Sequence, residues 1–218
     1  ETLRALDDLV TSGKVRYIGF SDTPAWICAQ AQTLLSERDR SPLIALQIEY
    51  SLIERTVENE LMPMARALGM GVTPWSPLKG GLLTGKFTRQ NKDTIEPSRG
   101  DWIRNHMTER NLDIVDRLIK VAKEAEATPA QVALAWVQSR EGVSSSIIGA
   151  TSIDQLKQNI AALDVTLSKA HIEQLDEVSA IEPTFPQSFL PYTKNNTQGG
   201  TTINGLESEE WHLAPKSD

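Results

Sequence analysis

With 218 residues, 39% apolar and 23% charged, the chain has the make-up of an ordinary globular protein of one large domain or two small ones. A formal net charge of −7 with no basic run excludes a phosphate-backbone-binding face, so nucleic acid is not an expected partner. No apolar run approaches the roughly 20 residues of a membrane helix and no charged-then-apolar leader opens the chain, so no membrane partner and a cytoplasmic location are expected.

Leu3, Leu6, Leu9 and Val10 share one face of an opening helix with neither an N-cap nor an initiator methionine ahead of it. The sequence is therefore expected to start inside a helix of a longer protein. Gly13 supplies a stop, and residues 15–20, Val15-Arg-Tyr-Ile-Gly-Phe20, read as a buried strand. Ser21-Asp22-Thr23-Pro24 gives a turn, with Thr23 as N-cap and Pro24 at the first position of a helix running to about residue 38. That helix carries the single cysteine, Cys28, which rules out an internal disulfide and reads as a small buried apolar residue.

Residues 43–49 form the second expected strand, and Val57, Leu61, Met64, Ala65 and Leu68 place an apolar stripe on the helix after it. Gly71-Val-Thr-Pro-Trp75 is the third strand. Strand starts near Val15, Leu43 and Met70 recur every 27 or 28 residues, the rhythm of strand–helix units with parallel strands. A long loop reaches from Leu78 to about Gly100. Helices follow near residues 111–125 and 129–139, the second opened by an N-cap, Pro and capping-box Gln in Thr128-Pro129-Ala130-Gln131. Val143-Ser-Ser-Ser-Ile-Ile-Gly149 is the fourth expected strand, and Ile153, Leu156, Ile160 and Leu163 line the next helix. A last helix near residues 168–181 precedes a tail rich in Thr, Asn and Gly, expected to be partly disordered. The division is residues 1–182 as one α/β unit and 183–218 as tail.

In Gly80-Gly-Leu-Leu-Thr-Gly85-Lys86 the spacing falls just short of a nucleotide-binding P-loop. Such a loop needs Ser or Thr after its lysine to hold magnesium, and here Phe87 follows, so a triphosphate is rejected. Parallel strand–helix architectures bind ligands at the carboxyl ends of the strands. Those ends carry Ser21-Asp22, Glu49-Tyr50-Ser51, Trp75-Ser76-Pro77-Leu78 and Gly149-Ala150-Thr151-Ser152. Hydroxyls, amides and an indole suit an aromatic ligand bearing amide and phosphate groups better than a metal or an acyl group.

Four phrases stand in order: Gly13-Lys-Val-Arg-Tyr-Ile-Gly-Phe-Ser21, Leu46-Gln-Ile-Glu-Tyr-Ser51, Pro74-Trp-Ser-Pro-Leu78 with Gly81-Leu-Leu-Thr-Gly-Lys86, and Ile147-Ile-Gly-Ala150 with Gln155-Leu-Lys-Gln-Asn159. Over roughly residues 1–190 they resemble the aldo-keto reductases. The resemblance implies a (β/α)8 TIM barrel of which this chain supplies only the C-terminal half, strands five to eight with their helices. It implies NADP as cofactor, NADPH in its reduced form, and a small-molecule carbonyl substrate reduced to an alcohol. Members that strongly prefer NADPH tend to carry Arg or Lys around residues 149–155, whereas this chain has Gly149, Ala150, Thr151 and Gln155, so NAD stays open.

By the same resemblance, Trp75 stacks on the nicotinamide, a core aromatic being the alternative. Ser76, Pro77, Leu78, Gly80, Gly81 and Lys86 lie along the pyrophosphate, where glycine permits close backbone approach. Ser21, Asp22 and Gln47 match positions that hydrogen-bond the carboxamide. Many members have Asn where Asp22 stands, so Asp22 either contacts the cofactor differently or caps the next helix. Gln47, in an otherwise apolar strand, needs a partner, either ligand or internal. Gly149, Thr151, Gln155 and Asn159 match the cradle of the adenosine 2′-phosphate at a helix N-terminus, although Ser152 and Gln155 also fit a capping box.

The family's catalytic Asp, Tyr, Lys and His fall ahead of Glu1 on this register, so no catalytic residue is assigned and the fragment alone is expected to be inactive. His106, His171 and His212 read as surface residues without a second ligand at metal spacing. Tyr17 and Tyr50 lack a Lys–Asp setting, and Asp7-Asp8 reads as a solvated helix face. A half barrel would leave strand edges unpaired and promote association. Two other classes fit less well: a nicotinamide-binding regulatory subunit akin to channel β subunits, and a barrel without the tetrad. Oligomeric state and substrate are not legible, beyond an aromatic stretch at residues 185–192 suited to covering a pocket.

Overall fold

The computed structural model describes residues 1–92, 94 and 101–190. Helix α1 (Thr2–Thr11) ends in a turn where Gly13, at φ +73°, donates its N–H to Val10 O at 2.9 Å. A side chain at that φ would strain the backbone, which is why glycine stops the helix here. Strand β1 (Ile18–Ser21) starts three residues later than expected. The N–H groups of Lys14 and Val15 still bond back to Leu9 O, so those residues belong to the helix end and Tyr17 is left 70% exposed.

Helix α2 (Ala25–Ser36) follows, and its N-cap is Pro24 rather than Thr23, whose hydroxyl donates to Ser21 O at 2.9 Å instead. Strands β2 (Leu43–Glu49) and β3 (Gly71–Trp75) have the expected bounds. The stripe from Val57 to Leu68 is not one helix: a 3-10 turn at Thr56–Glu58 precedes α3 (Leu61–Ala67). Pro63 explains the split. It has no N–H and is tolerated in a first turn, so a helix containing it must start close before it.

The three strands are parallel in the order β1-β2-β3. Register aligns Ser21 with Gln47 and Gln47 with Thr73, and sets Glu49 beside Trp75. Side chains alternate across a sheet, so Leu46, Ile48 and Val72 face the helices and are at most 1% exposed, whereas Ser21 and Gln47 lie on the open face.

The segment 143–149 is not a fourth strand. Only Val143 forms a bridge, to Val72. Ser144 donates to Val72 O and Ile147 to Pro74 O, so three residues advance against two and the ladder slips. In between, the Ser146 N–H goes to the side-chain oxygen of Gln138. The segment still runs beside β3 and reaches the same carboxyl end. Gly71 permits this, since a Cβ there would lie 2.4 Å from Ser144 Oγ.

Beyond β3 the expected open loop is helical at both ends, with a 3-10 stretch at Lys79–Thr84 and a short α4 (Asp101–His106). Helix α5 (Glu109–Glu124) and α6 (Pro129–Gln138) follow, the latter opened by the expected Thr128/Gln131 capping box. Then come α7 (Ile153–Ile160) and α8 (Lys169–Ser179), where Ser168 and His171 form a second capping box. Helices α2, α3, α5 and α6 cover the apolar face of the sheet, and Leu175 of α8 closes the core. Cys28 is fully buried, and burial pushes its thiol pKa up.

Two sides are uncovered. The apolar stripe of α7 and the 3-10 turn after it (Ala161–Asp164) lies open, with Ile153 and Leu163 both 72% exposed, and the inner face of the sheet has no layer over it among the described residues. Of the expected tail, 183–218, residues 183–190 are described, while 191–218, His212 and Tyr192 among them, lie outside the described residues. No helix of the described residues is long and apolar enough to cross a membrane.

Candidate functional site

Parallel register brings the ends of β1, β2 and β3 to one edge, and with them Ser21, Asp22, Gln47 and Trp75. Asp22 sits just past β1 at φ +46°, a left-handed conformation that Asp adopts more readily than most residues, and donates its N–H to Gln47 O at 3.0 Å. Its carboxylate Oδ1 accepts from Trp75 Nε1 at 2.9 Å, so the indole is tied across the sheet from the end of β3 to the end of β1. Asp22 therefore does not cap α2. Asp22 Oδ2 has only a long contact, with Ser21 Oγ at 3.5 Å.

Gln47 is exposed on the open face, and its side-chain amide makes none of the hydrogen bonds found among the described residues. Among the described residues Gln47 thus has no internal side-chain partner. Thr73, its neighbour in register, adds a hydroxyl to the same row; sequence reasoning passed over it because nothing marks one Thr in a strand.

The loop after Trp75 is held from below. Lys79, only 4% exposed, donates from Nζ to Glu49 Oε1 at 2.8 Å and lies 5.9 Å from the Trp102 ring centre. This buried pair was also missed: the two charges are 30 residues apart and meet only because Glu49 ends β2 beside Trp75.

Gly80 has a reason beyond the one expected: at φ +62°, a Cβ there would lie 2.6 Å from Trp102, so packing against α4 also calls for glycine. Gly81, at φ +100°, faces only the Lys86 side chain at 3.3 Å. Ser76 is also left-handed, at φ +54°, while Pro77 is buried and Leu78 partly buried against the core. Lys86 is exposed and lies over the Phe87 ring at 4.8 Å.

The fourth group forms a cluster of its own. Gln155 Oε1 accepts from the Thr151 N–H at 2.8 Å and its hydroxyl at 2.9 Å, Ser152 Oγ accepts from the Gln155 N–H, and Asn159 donates to Gly149 O at 3.3 Å. Half of the expected capping box is present; the reciprocal bond reaches Thr151 instead of Ser152. A Cβ on Gly149 would meet nothing within 4 Å, so no close approach requires glycine there.

Tyr50 is buried, and its hydroxyl donates to Glu58 Oε1 at 2.6 Å. Burial, then Glu58, raises its pKa, so it belongs to the packed interior and not to this edge. His106 packs on Trp102 through Nδ1 and the Trp102 carbonyl at 2.7 Å, and His171 caps α8. Phe185 and Phe189 pair at 6.4 Å, 80% and 50% exposed. Among the described residues no three His, Cys, Asp or Glu side chains form a metal-binding group.

Three parallel strands alternating with helices, with polar and aromatic groups gathered at the strand ends, make this an α/β protein. The sequence profile of the aldo/keto reductase family matches residues 1–180, and the chain belongs to that family. It is 38% identical to the uncharacterized oxidoreductase YrpG of Bacillus subtilis, over 82% of this chain and 53% of that protein. It is 32% identical over 87% of its length to AAD10 of Saccharomyces cerevisiae, which bears the name of an aryl-alcohol dehydrogenase and is covered to 67%. With norsolorinic acid reductase A of Aspergillus parasiticus it shares 29% identity over 98% of this chain and 52% of that protein. The chain thus spans about half the length of most of the curated relatives it matches.

Proposed function

We propose that this chain carries most of the nicotinamide site of an NAD(P)H-dependent oxidoreductase that interconverts aldehydes or ketones with alcohols. One observation supports this above the rest: a free amide, two hydroxyls, a carboxylate and a tethered indole share one edge of a parallel sheet. That donor set fits a planar aromatic ring bearing a carboxamide. Trp75 supplies a flat face, Gln47 both donates and accepts, and Ser21 offers a hydroxyl. When bound, the nicotinamide supplies the hydride. The residues of this chain hold and orient: Trp75 fixes the plane, Gln47 and Ser21 fix the rotation within it, and the backbone of residues 76–81, anchored by Lys79 and Glu49, runs on from the indole towards a diphosphate.

Gly149, Thr151 and Gln155 stand at or just before the α7 N-terminus, and Asn159, in the last turn of α7, reaches back to Gly149 O; N–H groups at a helix N-terminus favour an anion, and NADPH is preferred to NADH on that account. The catalytic residues lie outside this chain, which on this proposal is the C-terminal half of a (β/α)8 barrel. Its three parallel strands, its uncovered inner face and its half-length match to relatives all support that division.

Calorimetric titration of NADPH and NADH into the protein, purified at the full length its gene encodes, tests the site. Saturable binding is expected, tighter for NADPH. Trp75→Ala and Gln47→Ala should each weaken it roughly tenfold, the loss of one stacked ring or one good hydrogen bond. Absence of binding, or binding indifferent to both substitutions, overturns the proposal.

A further inference from the structure

We infer that Asp22 makes this site discriminate between the two redox states of its cofactor in favour of the oxidised, cationic ring. The inference rests on the nicotinamide site proposed above and concerns a property that site need not have. The Asp22 carboxylate is fixed in place from two directions: by a left-handed backbone whose N–H is bonded to Gln47 O, and by the Trp75 indole N–H at 2.9 Å. Oδ1 is taken by the indole, while among the described residues Oδ2 has only the 3.5 Å contact from Ser21 Oγ and keeps lone pairs free of other partners there.

Its charge is uncompensated. Asp22 forms no ion pair among the described residues, and the other carboxylate at this edge, Glu49, is already paired with Lys79 at 2.8 Å. A ring lying against the Trp75 face therefore lies beside one unpaired negative charge. The oxidised nicotinamide ring carries a positive charge and the reduced ring none, while the rest of the cofactor is the same. The carboxylate thus attracts one redox form and leaves the other nearly unaffected. Asparagine would keep the acceptor for the indole N–H and lose this discrimination. With a nicotinamide bound, the carboxylate would thereby hold the oxidised form more tightly than the reduced one and slow its release.

The experiment compares dissociation constants of NADP⁺ and NADPH for the full-length protein and for Asp22→Asn, followed by quenching of tryptophan fluorescence. Because the carboxylate is exposed, Asp22→Asn should weaken NADP⁺ roughly fivefold and change NADPH by less than about twofold. In the unsubstituted protein the NADP⁺/NADPH affinity ratio should fall between about 0.05 and 0.5 M salt, as screening removes the attraction. Equal changes in both constants, or none, overturn the inference while leaving the nicotinamide site standing. Absence of binding by the unsubstituted protein overturns both. If Asp22→Asn fails to fold, the salt series decides alone, and a ratio indifferent to salt overturns the inference.

Discussion

On β2, Leu46 and Ile48 turn towards the helices and are at most 1% exposed, while Gln47 and Glu49, one residue along in each case, turn to the open side. The same alternation continues on β3, where Val72 is buried and Thr73 and Trp75 reach the other face. The helix-side face is closed by dispersion and apolar burial. It is bordered by a charged cluster in which Asp176 accepts from Trp136 Nε1 at 2.9 Å, Arg55 at 3.3 Å and Arg140 at 3.1 Å. On the open face the polar groups are few and at least partly exposed, with Trp75 tied to Asp22 and Glu49 to Lys79 while, among the described residues, the Gln47 side chain has no partner. Stability and binding are thus carried by alternate residues of the same strands, and substitutions one position apart should report on different properties.

The largest contrast comes from adjacent residues. Leu46→Ala removes a fully buried side chain at the centre of the sheet and should cost about 2–5 kcal/mol in denaturant unfolding. Gln47→Ala, one residue on, should stay within about 0.5 kcal/mol of the parent, as exposed sites do. Comparable losses at both positions would show that the inner face is packed in solution and would break the comparison.

Asp176→Ala comes next. It strips a shared acceptor from Trp136, Arg55 and Arg140 on the closed side and should cost about 1.5–3 kcal/mol, the range for hydrogen bonds to charged groups. Burial disfavours the Arg55 charge, yet Glu58 at 2.8 Å keeps its pKa above the ordinary value, so Arg55 stays charged and must find other partners. Nucleotide affinity should change little, because the cluster meets the strand ends at the buried Tyr50, through Glu58 and the Trp136 ring, rather than at Ser21, Asp22, Gln47 or Trp75. A parallel fall in affinity would mean that the two faces are coupled.

Much of the closed side was legible in the sequence, and much of the site was not. Strands β2 and β3 and the Thr128 capping box announce themselves through local patterns, an apolar run with β-branched residues and a fixed three-residue offset. The start of β1 and the failure of residues 143–149 to become a strand depend on hydrogen bonds made elsewhere: Leu9 O captures the residues ahead of β1, and the Gln138 side chain captures Ser146. At the site, the list of strand-end residues followed from topology alone, but their pairing did not. The Asp22–Trp75 tether spans 53 residues and the Lys79–Glu49 pair 30, distances at which charge and indole carry no local signature. Gly80 shows a further limit. Sequence offers close approach of a ligand as the reason for glycine, and only packing adds Trp102 as a second.

The smallest expected effect sharpens the comparison at the edge of the molecule. Asp7 of α1, expected as part of a solvated face, has one oxygen accepting the Ser41 N–H at 2.9 Å and the other 4.0 Å from Arg40 Nε, tying α1 to the turn ahead of β2. The hydrogen bond from the Ser41 backbone, more than the Arg40 charge, holds the Asp7 pKa below its ordinary value. Folded Asp7 thus releases its proton more readily than unfolded Asp7. Its contribution is full above the unfolded pKa of roughly 4 and is lost as pH falls through the folded value. Thermal melts of the parent and Asp7→Asn should therefore differ most near neutrality and converge as the pH falls below the ordinary carboxylate range. A gap independent of pH would mean that the carboxylate charge is not what joins α1 to the sheet, and that this contact resembles the uncharged packing of the closed face more than the polar edge it borders.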